Sequence, residues 1–479
     1  MSDKELDSSI DAPSVAWAPW LTPRRAVLFL VGWLVLFAAF SVVVSNPFQS
    51  EPNAGATPNY AIVMYLHGLL IGMVGLMALL TVQVLRMKSL HVRAWICVGA
   101  VAATILAAIG GIFDNKIPGA EVALWTQIFG FFALDEILIV LIYGIYKERA
   151  RALTTGRLPF IAALAASAAM LGAAVMGHLA GWIMEFGNWP GIIGSYAGAV
   201  GFAKVDDFSG ALVGSHSHEM AVGGMALAIT LLVVQFGYSA LKGRARLVAR
   251  VGMAMVASGT ALMALFYIVT GITTWAPPAA IANIGQDPNL IPLDDIVTGV
   301  LVMGGGVVAA IAFMPLLMKA PVRLAAAWTY VLATATVAVA GYTIELNTSH
   351  FGAGDQTAAG AAGDAIFTWL HQDIGLFLLP TMLVVMLFAE RLSAGRRHNN
   401  GIGLMTITGT TVLFAGGMFW VFINPALHGP GYYLATAGAL VTGVAVLATI
   451  WYGGLAAAVR SMRSTRTLSA RLSQTRLAR

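Results

Sequence analysis

The sequence predicts an all-α polytopic membrane protein of about twelve transmembrane helices, in three quasi-equivalent four-helix sets, with the N- and C-termini cytoplasmic. Its composition, its apolar runs and the placement of its basic residues all predict this. Of 479 residues, 58% are hydrophobic and 10% charged, and the mean hydropathy is +0.81. An ordinary soluble domain is roughly 45–50% apolar and about 25% charged. A water-soluble globule and a disordered chain are both excluded. The single cysteine, Cys97, excludes a disulfide scaffold.

The chain opens on an acidic polar stretch, MSDKELDSS. It lacks the charged start, short apolar run and small-residue cut site of a cleavable signal, so it is expected to be retained. Residues 1–25 read as a cytoplasmic N-terminal segment, 26–457 as a twelve-helix membrane domain and 458–479 as a basic cytoplasmic tail. Windows of about 19 residues give apolar runs at 26–45, 60–85, 94–113, 122–146, 158–186, 213–240, 248–274, 293–318, 324–346, 364–390, 402–423 and 431–457. Each run supplies the roughly 20 residues that cross a bilayer as a helix. The outer segment 187–212, with Pro190, several glycines, Asp206 and Asp207, reads as a lid over an outer cleft or a docking surface.

With the N-terminus inside, 25 of the 27 Lys and Arg fall in inner segments, and only Lys116 and Lys204 fall outside. This positive-inside distribution selects both the orientation and an even number of spans. Acidic residues dominate the outer loops, among them Asp114, Glu121, Asp206, Asp207 and Asp355. The net charge of +5 is therefore a topology signal, and no nucleic-acid partner is expected.

Spans two, six and ten share one layout: a histidine near the outer start, a Gly-containing apolar run and a basic inner turn. They read MYLHGLLIGMVGLMALLTVQVL with His67, SHSHEMAVGGMALAITLLVV with His216 and His218, and TWLHQDIGLFLLPTMLVVML with His371, about 150 residues apart. All three spans run from outside to inside, so the four histidines share one level in the outer half of the bilayer. A polar side chain at that depth is expensive in lipid and faces the bundle interior. There it is satisfied by a bound metal or cofactor, or by a neighbouring carbonyl.

Neutral imidazole suits haem iron, copper, zinc and non-haem iron, while the thiolate alternative is missing because Cys97 lies toward the inner side. Histidines from two facing helices are the usual arrangement around a low-spin b-type haem. Residues two apart on a helix differ by about 200°, so His216 and His218 face opposite sides and serve two neighbouring clefts, one with His67 and the other with His371.

Three sets of four spans, the His67-Gly68 pair on span two and a His-x-His motif at the outer end of a later span resemble subunit I of the haem-copper oxidase superfamily, nitric oxide reductase large subunits included. The resemblance covers nearly the whole chain, from about 26 to 457. It implies an oxidoreductase that reduces a small molecule such as O2 or NO, using a bis-His haem (heme b, one or two) and a second haem or metal centre near the outer face. By the family's use of helices two and ten, it implies that His67 and His371 hold the low-spin haem. The chain departs from the family in three places. Span ten has Trp369 where the family has a second histidine, the His-x-His pair sits on span six, and the end of span seven, FYIVTGITTW, lacks the two adjacent histidines of the copper site. A divergent member without the usual copper-site histidines is expected, with haem sites flanking span six.

Other candidate ligands lie at the outer level. Span five ends GHLAGWIMEFGNW, where His178 and Glu185 are seven apart and share a helix face. Span six adds Glu219, span nine Glu345 and His350, and the loop after span eleven His428. The set His178, Glu185, Glu219 and His350 suits a non-haem iron or copper near the haem, as nitric oxide reductases hold theirs with histidines and a glutamate. Glu219 and Glu185 are then the candidate catalytic carboxylates. The plain alternative for Glu185, Glu345 and His350 is a wet interfacial position. Span four, FFALDEILIV, places Asp135 and Glu136 near mid-depth, either to exchange protons or as a hydrogen-bonded structural pair. No unbroken polar series reaches inward from the surface, so proton pumping is not expected. His91 and His398 read as solvated inner residues.

The expected partners are the lipid bilayer, an electron donor (cytochrome c-type, cupredoxin or quinol) and further membrane subunits, in a bacterial-type inner (cytoplasmic) membrane. Two other classes stay open: a haem b electron-transfer or gas-sensing protein without catalysis, and a secondary transporter, which internal repeats also mark.

Overall fold

The structure, a computed structural model, describes residues 25–34, 60–114, 121–187, 191–199, 204–270, 295–317, 320–351, 374–375, 378–392, 396–423 and 429–452. Among them there is no strand. Helices and short turns account for the rest, and the chain is an all-α polytopic membrane protein.

We number the helices α1 Arg25–Leu34, α2 Tyr60–Val84, α3 Leu90–Asp114, α4 Glu121–Lys147, α5 Arg157–Phe186 and α6 Val205–Gln235. There follow α7 Gly243–Thr270, α8 from Asp295–Gly304 continuing as Gly305–Leu317, α9 Pro321–Phe351, α10 Leu379–Leu392, α11 Arg396–Phe422 and α12 Pro430–Tyr452. Among the described residues nine helices (α3 to α9, α11 and α12) are long and apolar enough to cross a bilayer, while α1, α2 and α10 show shorter apolar stretches. In such a medium every backbone group must be satisfied within the chain, which is why the spans are helical throughout.

Local chemistry sets the ends. α5 starts after Gly156 and stops at Gly187, and both glycines have positive φ, +130° and +58°. α9 begins on Pro321, whose missing N–H costs nothing in a first turn. α6 starts at Val205, several residues before the apolar run at 213. The Asp, Ser, Gly and His content of 206–218 hides this start of the helix from a hydropathy window. The outer segment 187–212 is thus partly helical, since it also contains the helix Ile192–Ala199. On the inner side, Glu148 accepts backbone hydrogen bonds from Lys88 (2.7 and 2.9 Å) and Ser89 (2.7 Å), fixing the α2–α3 turn to the end of α4. Arg86 in that turn adopts φ +56°, a left-handed conformation costing roughly 1 kcal/mol; bonds to a charged acceptor of about 1.5–3 kcal/mol each offset it.

Pairs of helices pack closely through small residues. A Cβ at Gly130 would meet the Ala107 backbone nitrogen and one at Gly110 that of Gln127, so α3 and α4 approach backbone to backbone. Buried threonines such as Thr81, Thr104, Thr230 and Thr406 return their hydroxyls to the carbonyl one turn back at 2.7–2.9 Å, adding no polar burden.

The centre belongs to α2, α6 and α10, which pack against one another. The apolar window of α6 is 78% buried, against 28% for α12, which puts α6 inside and α12 on the rim. Met73, Met77, Met225, Gly224, Pro380 and Val384 line a small cavity of about 10 Å³ between the three, no larger than one water.

Candidate functional site

Two of the four repeat histidines meet where the N-terminal halves of α2 and α6 adjoin. The imidazoles of His67 on α2 and His216 on α6 are nearly parallel, at 10°, with centroids 5.9 Å apart. His216 Nδ1 lies 2.7 Å from the backbone oxygen of Ala173 on α5. A carbonyl only accepts, so Nδ1 carries the proton and Nε2 keeps its lone pair. Metal-binding histidines are oriented by such a bond.

The sequence explains how the ring gets there. Residue 177 is a glycine, and a Cβ in its place would lie 2.5 Å from His216 Nδ1 and 2.6 Å from Cε1. The missing side chain gives the imidazole its berth against α5. Phe131 on α4 closes another side, its ring 5.4 Å from that of His67.

A second group adjoins the first. His178 Nε2 is 2.7 Å from Asp135 Oδ2, joining α5 to α4. Its ring lies parallel to Phe132 within 19° at 5.2 Å and edge-on to Phe131 at 5.9 Å. Phe131 therefore stands between His67 and His178. Asp135 thus points toward α5, whereas Glu136, one residue on and turned by about 100°, is exposed. The two carboxylates do not form a pair. Glu219 is 1% exposed and lies three residues after His216, on the same helix face.

The site residues expected from the sequence divide accordingly. His67 and His216 come together, and of the His-x-His pair it is His216 that faces α2; His218 is half-buried two residues on. His371 and His428 lie outside the described residues. The backbones of Glu185, Glu345 and His350 are helical, at the outer ends of α5 and α9, but their side chains are outside the described set. Among the described residues no three His, Cys, Asp or Glu side chains are grouped to hold a metal ion. His91 is exposed at the start of α3, and exposed His398 lies 4.3 Å from the Tyr452 ring.

Sequence reading missed Phe131, Gly177 and Gln127. Gln127 sits one turn outward of Phe131 on the same face of α4, fully buried, and neither atom of its amide has a hydrogen-bond partner among the described residues. A lone glutamine at i−4 and i−8 from Phe131 and Asp135 was the available signal. No known protein family, curated protein or solved structure matches the chain.

Proposed function

We propose that the chain is a membrane oxidoreductase of a divergent haem-copper-oxidase-like kind, in which His67 and His216 would hold a b-type haem. The observation that carries this reading is the parallel imidazole pair, 5.9 Å between centroids, borne by two central helices. Two imidazoles from facing central helices are the kind of donor pair that a low-spin b-type haem takes. A pair of imidazoles suits a haem, whose porphyrin supplies the remaining bonds. The pairing of His67 with His216 takes the place of the His67–His371 pair that the family resemblance implies.

A haem held by two imidazoles would supply one-electron transfer, and the reduction of a diatomic such as O2 or NO would fall to the second haem or metal centre expected near the outer face. The surrounding residues have separate tasks. The Ala173 carbonyl fixes the His216 tautomer and ring direction, and Phe131 walls the site from His178. The His178–Asp135 pair and the buried Glu219 hold protons close to the site, as the reduction of O2 or NO requires. The mutual packing of α2, α6 and α10 supports the reading of three four-helix sets within twelve spans, and the placement of the basic residues supports cytoplasmic termini. The polar outer ends of α5 and α6 are the side from which a cytochrome c-type protein, a cupredoxin or a quinol would deliver electrons, in a bacterial-type inner membrane.

The test is the visible spectrum and iron content of the detergent-purified chain. A Soret band with reduced b-type peaks and stoichiometric iron is expected; His67→Ala and His216→Ala should each abolish the low-spin signal, and His218→Ala should keep it. A colourless, iron-free protein overturns the reading, as does an unchanged spectrum in His216→Ala.

A further inference from the structure

We propose that the outward face of α4 docks a transmembrane helix of another protein that carries a Lys or Arg at mid-depth, paired with Glu136. This goes beyond the redox reading and does not depend on it.

The span Trp125–Lys147 has Glu136 at its centre. At 1.5 Å per residue its Cα stands roughly 16 Å from either end, the middle of a hydrocarbon core about 30 Å thick. Three carboxylates occur within the nine described spans, Asp135, Glu136 and Glu219. Asp135 is paired with His178 and Glu219 is buried in the bundle. Only Glu136 is exposed, with Phe129, Phe132, Ile139 and Tyr143, 53–59% exposed, along the same stripe. The exposed stripes of α8 and α12 carry no charged residue.

A carboxylate left there in lipid is expensive whether ionised or neutral, because hydrocarbon offers neither hydrogen bonds nor counter-charge. A basic side chain from a neighbouring helix removes the cost for both partners. A second copy of this chain does not supply one. Every Lys and Arg of the described spans lies toward the inner end, and a symmetric α4–α4 contact would set Glu136 against Glu136. The charge therefore specifies a different chain, and the flanking rings give it an apolar ridge to pack against.

The experiment uses phosphatidylcholine vesicles holding the full chain, dye-labelled at its C-terminus, with designed Leu/Ala single-span peptides that carry a central Lys or a central Leu. Energy transfer should show the Lys peptide binding about tenfold more tightly than the Leu peptide, and Glu136→Leu should erase that preference. Far-UV circular dichroism and gel filtration of Glu136→Leu confirm its fold, and Glu136→Gln serves as a second variant. Equal binding of both peptides by the unsubstituted chain overturns the proposal. So does chain-to-chain transfer without peptide that Glu136→Leu abolishes, which would assign the face to a second copy. A chain lacking haem leaves this result untouched.

Discussion

The contact of His216 with α5 depends on one missing methyl group. Gly177→Ala places a Cβ against the ring, so the imidazole must turn and give up its bond to Ala173. Overpacking of this kind costs about 1–3 kcal/mol. We expect Gly177→Ala to lower the melting temperature in detergent and to weaken the low-spin signal. Gly181→Ala, one turn along α5 with nothing within 4 Å of its Cβ, is the control and should do neither. An undisturbed spectrum in Gly177→Ala would mean that His216 reaches its position by another route. The His-x-His spacing was readable at this scale, because helix geometry alone puts His216 and His218 on opposite sides. Which of them faces α2 was not readable, since that depends on the rotation of α6 about its axis.

Between elements, the lipid offers no hydrophobic drive to bring helices together, so close packing through small residues does the work. The α3–α4 pair shows this most directly, with Gly110 and Gly130 each against a backbone nitrogen of the other helix. Gly130→Ala is expected to destabilise the protein by about 1–3 kcal/mol, because backbone cannot move aside as a flexible side chain can. Gly401→Ala on α11, whose Cβ meets nothing within 4 Å, should be neutral or stabilise by up to about 1 kcal/mol through helix propensity. Thermal melts in one detergent compare the two, and equal effects would refute the close approach. The tight α3–α4 contact also positions the site, since α4 carries Phe131, Asp135 and Gln127. The glycines were visible in the sequence, but their partners were not.

For the whole molecule, charge asymmetry predicts the orientation, and packing places α2, α6 and α10 at the centre. Topology is checked with single-cysteine reporters in a Cys97→Ser background. Lys204→Cys should react with an impermeant maleimide from the outer side, and Lys242→Cys only after the membrane is opened; the reverse pattern would invert the topology. The three repeat helices lie innermost, and the redox reading needs this, because only central helices can hold imidazoles away from lipid.

The sequence by itself determined the membrane class and the places of the apolar helices, and it carries the repeat that singles out α2, α6 and α10. A bilayer demands apolar runs of fixed length and backbone groups satisfied within each span, and both requirements act along the chain without reference to any partner. Tertiary structure decided that His67 meets His216 behind Phe131, that Asp135 turns to His178 while Glu136 turns away, and that Gly177 and Ala173 shape the berth. Those outcomes depend on how each helix is rotated against neighbours far away in the chain, where a shift of one residue turns a side chain by about 100°, and no local pattern encodes that angle.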